Sequence, residues 1–288
     1  MAQPRRFVDL HTHSTASDGS VEPAQLIAQA DKAQLAAIAL TDHDTTDGLA
    51  AAQEAAQRFP LLKLVHGAEV SAAWPAGTLH LLGLGIDAGN PAIVSLMASL
   101  MAARRERNPR IIARLRELGV PIEMAELEAL KPAGPGKVVL GRLHMAQLLV
   151  AKGIARNIYE AFERYLGPTG QAYVDKERLT PREVITAIHS GGGLAVLAHP
   201  VQLGCVNDAQ LLRVVKEFAD NGLDGIEAYH SDHDERMTRL CLDLARQMQL
   251  GVTGGSDFHG HGKPDVALGK PRVPLVILGD RFRAKLLG

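Results

Sequence analysis

The sequence predicts an α/β fold: a parallel sheet, closed or nearly closed, wrapped by helices and carrying a mostly helical insertion. Three observations lead there. The chain has 288 residues, enough for one large α/β domain or a barrel with an insertion. Hydrophobic residues make up 46% of it and aromatics only 4%, so the core must be built from Ala, Leu, Val and Ile, as in helices packed around aliphatic strands. Strand and helix patterns alternate at both ends of the chain, and helical patterns dominate between them.

Phe7 to Leu10 reads as a short buried strand. Ser20-Val21-Glu22-Pro23 then opens a helix, with a capping hydroxyl and a proline in the first turn, and Leu26, Ile27, Ala30 and Ala33 form its apolar stripe. Ala36 to Leu40 is the second strand, followed by an Ala-rich helix over Thr46 to Arg58. Leu62 to Val70 and Thr78 to Ile86 are the next strands, before a long Arg-rich helical region from Ala92 to Leu118. Alternation resumes where Thr180-Pro181-Arg182-Glu183 forms a capping box with proline at the first helical position. Strands then follow at Leu194 to Leu197, Asp224 to Ala228 and Leu250 to Thr253, separated by helices over Asp208 to Asn221 and Asp234 to Gln249. The barrel is assigned to residues 1–100 and 168–288, and a helical, substrate-capping insertion to 101–167.

Lys and Arg number 31 against 32 Asp and Glu, a formal net charge of -1, so no global polycation is present to hold duplex DNA or an anionic membrane. Any nucleic-acid contact is expected to be local and short. Cys205 and Cys241 have no metal-binding or disulfide-framework spacing, which points to a reducing, cytoplasmic setting. The apolar runs fall short of the roughly 20 residues that span a bilayer, and no secretory segment is expected ahead of Asp9.

Twelve histidines are the compositional excess. Five strands run into polar clusters: Leu10-His11-Thr12-His13, Thr41-Asp42-His43-Asp44, Gly67-Ala68-Glu69, Ala198-His199-Pro200 and Gly255-Ser256-Asp257-Phe258-His259. Strand C-termini share one face of a parallel barrel, so these clusters converge, and His80 joins them from its own strand. Imidazoles and carboxylates without thiolate suit Zn, Mn or Fe rather than Ca. Six histidines (His11, His13, His43, His80, His199, His259) and three carboxylates (Asp18, Glu69, Asp257) exceed what one ion can use, so two or three divalent ions are expected, and such a site serves hydrolysis.

Those clusters, with Asp18 and His80, resemble the four-motif pattern of the PHP (polymerase and histidinol phosphatase) family. The resemblance covers nearly the whole chain outside the insertion. It implies a distorted (β/α)7 TIM-like barrel and a trinuclear centre, with Mn as the first candidate metal. Around one ion it places His11, His13, Glu69 and Asp257. A second ion would take Glu69, His80 and His199, with Glu69 bridging, and a third Asp18, His43 and His259. Asp18, Glu69, His199 and Asp257 are thereby implied in the catalytic set. Within the family, Gly141-Arg142-Leu143-His144-Met145-Ala146, Ala161 to Gly167 and Ala172-Tyr173-Val174 resemble bacterial nucleoside 3′,5′-bisphosphate phosphatases and 5′→3′ exoribonucleases, departing at Leu143, where those members commonly have Pro.

The expectation is therefore a phosphoesterase in which metal-bound hydroxide attacks the 3′-phosphate of a nucleoside 3′,5′-bisphosphate, converting adenosine 3′,5′-bisphosphate to AMP and phosphate. Arg142, Lys176 and Arg178 flank the insertion and are the candidate phosphate contacts, with Arg142 and Lys176 preferred. His230, at the same barrel end, or metal-bound water would supply the leaving-group proton. Arg104, Arg105, Arg107 and Arg110 read as a solvated helix face. Gly134 to Lys137 reads as a lid. The rival activities are a 5′→3′ exonuclease on short 5′-phosphorylated RNA, with Tyr173 or Tyr165 stacking bases, and a metal-dependent amidohydrolase. A non-enzymatic, metal-dependent ligand-binding module is the third alternative.

Overall fold

The structure is a computed structural model that describes residues 5–130, 140–175 and 179–288. The strands are β1 (Phe7–Asp9), β2 (Ala37–Leu40), β3 (Lys63–Ser71), β4 (His80–Leu84), β5 (Leu194–Leu197), β6 (Gly225–Tyr229), β7 (Gly251–Gly254) and β8 (Val273–Pro274). They form one sheet in the order β7-β6-β5-β4-β3-β2-β1-β8. Leu10 N donates to Gly254 O at 3.1 Å and Asp257 N to His11 O at 2.8 Å, which brings the two ends of the sheet together into a nearly closed barrel.

The sheet is not wholly parallel, contrary to the expectation from the βα alternation. β4 runs antiparallel to both β3 and β5, and β8 antiparallel to β1. The link between β3 and β4 covers only 72–79, too short for the dozen or more residues of a parallel crossover. The reversal has a functional consequence: Ser71 at the end of β3 pairs with His80 at the start of β4, so His80 reaches the rim where the parallel strands end.

Side chains alternate with period two. Val8, Ala37, Ala39, Leu82, Leu84, Leu194 and Val196 fill the barrel interior, whereas Ile38, Leu81 and Leu197 face the helices outside. The outer layer consists of α1 (Pro23–Lys32), α2 (Leu49–Ala56), α3 (Pro91–Glu117), α7 (Pro181–Ser190), α8 (Asp208–Asp220) and α9 (Glu235–Met248). The C-terminal helix α10 (Gly279–Leu287) pushes Phe282 into the barrel end opposite the polar rim. Gly251 must lack a side chain there, because a Cβ would lie 2.1 Å from the Phe282 ring. Thr180 caps α7 as expected, its amide donating to Glu183 Oε2 at 2.7 Å. Ser20 does not cap α1. Glu22 stands at that position, and the Ser20 hydroxyl instead accepts the His261 amide at 2.8 Å.

The middle of the chain builds a separate apolar cluster from α3, α4 (Met124–Glu128), α5 (Arg142–Ala151) and α6 (Ile158–Ala161), which continues into a π-helical turn over Phe162–Leu166. Helix α3 belongs to both units. Ile93, Leu96 and Leu100 pack on the barrel, and Ile111, Ile112 and Leu115 pack in the helical cluster. Among the described residues no helix is long and apolar enough to cross a membrane.

Candidate metal centre

The barrel brings the sequence-selected residues to one rim. Glu69 lies at their centre and is almost fully buried. Its Oε1 is 2.7 Å from His80 Nδ1 and 2.8 Å from His199 Nε2. Its Oε2 is 3.0 Å from His43 Nδ1, 3.1 Å from His13 Nε2 and 3.2 Å from His11 Nε2. Asp257 Oδ1 is 3.2 Å from His13 Nε2 and 3.5 Å from His11 Nε2. Asp18 Oδ1 is 3.2 Å from His259 Nε2, and Asp18 Oδ2 is 3.8 Å from His43 Nε2.

Four donor sets overlap here: His11, His13, Glu69 and Asp257; His43, Glu69 and His80; His13, Asp18, His43 and His259; and His11, Glu227 and His230, each with ligand atoms within 4.8 Å of one another. His199 adjoins the second set through Glu69. Hydrogen bonding within the protein does not satisfy this arrangement. His11 Nε2, both ring nitrogens of His13, His43 Nδ1, Glu69 Oε2 and His199 Nδ1 are buried without a hydrogen-bond partner. Orphaned donors and acceptors in that density are costly, and a cation between them satisfies lone pairs on several at once, so the residues fit a multinuclear divalent site.

Charge states agree with that fit. Burial works against ionisation of Glu69, but His43, His80 and His11 hold its carboxyl well below the usual range. Asp18 is held low by His43 and His259, and Asp257 by Lys263 and His11, again against burial. Burial pushes His43 down to about 3 and His199 down to about 4, leaving both rings neutral. His11 and His13 go the other way, His13 to about 9, because burial is outweighed by the carboxylates that face them. These last two rings compete for the carboxylates a cation would neutralise.

Further carboxylates, outside the nine candidate ligands, hold the rim together; Asp42, expected from the sequence to orient the neighbouring His43, is one of them. Asp9 accepts Ser256 N at 2.8 Å, Ser256 Oγ at 2.7 Å and Gly269 N at 2.8 Å, fixing the segment that carries Asp257. Asp42 accepts Ser14 N at 2.8 Å and Ser17 Oγ at 2.6 Å, so it shapes the turn between His13 and Asp18. Asp44 accepts Ser71 N at 2.8 Å and Arg104 Nε at 2.8 Å. Lys263 Nζ bonds Asp257 Oδ2. The Asp at each of two strand ends was the available signal; nothing local singles out Lys263.

A pocket opens beside the cluster. Asp18, His43 and His80 line it together with Arg104, Arg107 and Arg142. The expectation of a solvated arginine face is therefore corrected at two positions: Arg105 and Arg110 are exposed, but Arg104 is turned inward to Asp44 and Arg107 is buried. Positions 93, 96, 100, 104, 107, 111 and 115 form one continuous helical stripe, apolar at both ends and cationic where it passes the pocket. Gly141, at the start of α5, lies against the Arg104 guanidinium, with an added Cβ 2.7 Å from Nη1.

Arg142, the first residue of α5, donates to Leu166 O at 3.1 Å and lies 5.8 Å and 5.5 Å from the Phe162 and Tyr173 ring centroids. Lys176, Arg178 and the segment Gly134 to Lys137 lie outside the described residues. His230 is buried at the same rim; its Nδ1 accepts the Asp232 amide at 3.0 Å, which leaves the proton on Nε2, 3.3 Å from Asp257 Oδ2. Tyr165 is not placed to stack a base: it is buried in the helical cluster, with its hydroxyl bonded to Arg164.

Residues 9–177 match the family model of the PHP domain. The chain is 36% identical over 252 residues to the 5'-3' exoribonuclease Rnm of Salmonella typhimurium, covering 87% of this chain and 84% of that one. It is 33% identical over 261 residues to the 3',5'-nucleoside bisphosphate phosphatase of Chromobacterium violaceum, covering 89% and 88%. A crystal structure from Bifidobacterium adolescentis, described as a metal-dependent phosphoesterase, superposes with a TM-score of 0.86 at 32% identity over 98% of this chain and 96% of that one.

Proposed function

Because the chain belongs to the PHP family of metal-dependent phosphoesterases, we propose that it removes the 3′-phosphate from nucleoside 3′,5′-bisphosphates, converting adenosine 3′,5′-bisphosphate to AMP and phosphate. Membership makes it a hydrolase of phosphoric esters. The observation that carries the finer reading is a single pocket lined both by candidate metal-ligand side chains and by three arginines. A substrate with two phosphates matches both kinds of lining.

In this reading His11, His13, Glu69 and Asp257 hold one ion, Glu69, His80 and His199 a second, and Asp18, His43 and His259 a third. Mn suits these nitrogen and oxygen donors. Such ions, when bound, lower the pKa of water, polarise the phosphoryl group and neutralise its charge. The protein's own contribution is orientation. Asp18, Glu69, His199 and Asp257 would fix the ions rather than touch the reacting phosphate themselves, while Arg142 grips the remote phosphate from the helical segment 101–167, which acts as a substrate cap. Lys176 and Arg178 are proposed to assist there. His230 carries a proton on Nε2 and is our choice for protonating the departing 3′-oxygen.

The test compares kcat/KM of the Mn-loaded protein for a nucleoside 3′,5′-bisphosphate and the corresponding 3′-monophosphate. The bisphosphate should be turned over far better, because its second phosphate supplies binding energy that positions the first. Equal values overturn the two-phosphate reading. A second reading, 5′→3′ cleavage of short 5′-phosphorylated RNA, is supported by the relative named as an exoribonuclease. In that case a short 5′-phosphorylated oligoribonucleotide outcompetes the bisphosphate in the same assay.

A further inference from the structure

Glu227 faces inward from β6 and is fully buried. Among the described residues no lysine or arginine pairs with it; its neighbours are the backs of two residues of the metal centre. Oε1 and Oε2 lie 3.1 Å and 3.2 Å from His11 Nδ1. Oε2 also accepts the His199 backbone amide at 2.8 Å. An ionised carboxylate can only accept, so His11 donates from Nδ1, and the neutral ring that would bind a metal must carry its lone pair on Nε2. That nitrogen points at Glu69 and Asp257 and has no hydrogen-bond partner of its own. At His199 the need is different. Its backbone sits at φ 26°, a conformation rare for a residue with a side chain, and the amide held by Glu227 fixes the angle at which Nε2 meets Glu69 at 2.8 Å.

We propose that Glu227 is a positioning residue that sets the tautomer and direction of the His11 ring and the backbone of His199, and so tunes metal affinity at both positions they serve. The inference rests on the reading that these two histidines hold metal. The alternative role for Glu227 is direct ligation, since its oxygens lie within 4.8 Å of donor atoms of His11 and His230. Geometry favours positioning, because both of its oxygens are already taken up by donors that lead away from it toward Glu69. In Glu227→Gln the amide nitrogen must replace one oxygen; if it faces His11 Nδ1, it forces the ring proton onto Nε2 and removes the ligand lone pair.

The experiment is calorimetric titration of MnCl2 into chelator-treated, full-length wild-type protein, Glu227→Gln, Glu227→Asp, His11→Ala and the Glu227→Gln/His11→Ala double variant. Positioning predicts that Glu227→Gln keeps the number of ions bound but weakens affinity by about 10- to 100-fold, the usual cost of removing a partner that orients a ligand. Glu227→Asp, which keeps the charge on a shorter arm, should fall between wild type and Gln. The effects of Glu227→Gln and His11→Ala should be less than additive in the double variant, since one acts largely through the other. Unchanged affinity in Glu227→Gln overturns the proposal, and so does loss of one whole ion with the rest unaffected, which would mark Glu227 as a ligand. Should Glu227→Gln fail to fold by circular dichroism, Glu227→Asp decides, and wild-type affinity in it counts against positioning. Failure of the wild-type protein itself to bind Mn would instead defeat the metal reading on which the inference stands.

Discussion

Arg142 lines the pocket with its guanidinium bonded to Leu166 O and two aromatic faces beside it, so its rotamer is held before any substrate arrives. Arg142→Ala should leave bound Mn unchanged and lower kcat/KM by about 2–5 kcal/mol, and Arg142→Lys should recover only part of this, because an ammonium cannot reproduce a bidentate fork. Wild-type kinetics in a folded Arg142→Ala protein would contradict the phosphate contact. His13 gives a second expectation at this scale. Burial opposes its charge, but Asp257 and Glu69 raise it from 6.5 to about 9 in the metal-free protein. Metal binding needs the ring neutral, so Mn affinity should climb with pH from 6.5 to about 9 and then level off. The same protonation stabilises the metal-free fold fully below pH 6.5, and that contribution disappears as pH rises through about 9. A flat affinity profile across that window, measured by Mn titration, would be inconsistent with this account.

Elements position these residues by simple devices. The capping box at the start of α7 satisfies two otherwise orphaned amides, Thr180 Oγ1 accepting from Glu183 N at 3.3 Å while Glu183 reaches back to Thr180 N. Thr180→Ala should cost about 1 kcal/mol of stability with kcat/KM unchanged, readable as a lower midpoint in urea unfolding. Activity loss without destabilisation would show that the cap also serves the site. Helix α3 does more than connect: its stripe is anchored at one end in the barrel and at the other in the helical cluster, which holds Arg104 and Arg107 over the rim between two packed regions. The antiparallel β4 is the other decisive element, because it delivers His80 from a strand start to a rim otherwise supplied by strand ends.

For the whole molecule, the candidate metal centre and the carboxylates around it draw on segments from Asp9 to His259 that meet only when the barrel closes. Ions bound there should stabilise the native state by mass action, about 2.7 kcal/mol for a site at a hundred times its Kd. Prolonged chelation should therefore abolish turnover and lower Tm by several degrees, and Mn should restore both. An unchanged Tm and full activity after verified metal removal would rule out a bound-metal centre for both stability and catalysis.

The sequence by itself determined the kind of site. Histidines and carboxylates at successive strand ends, with Asp18 and His80 beside them, were enough to select nine candidate ligands, because side-chain identity and the period-two alternation of a strand are local properties. Tertiary structure decided what depends on partners distant along the chain. Whether Arg104 and Arg107 face solvent or the pocket is set by which side of α3 the barrel and the helical cluster cover, and a run of charges carries no record of that. The direction of β4 follows from the length of a connection and its pairing with β5, and the work of Asp9 and Glu227 from contacts 247 and 216 residues away. A buried carboxylate in an apolar strand reads as an exception in one dimension; only packing shows which histidine and which backbone amide it was placed to hold.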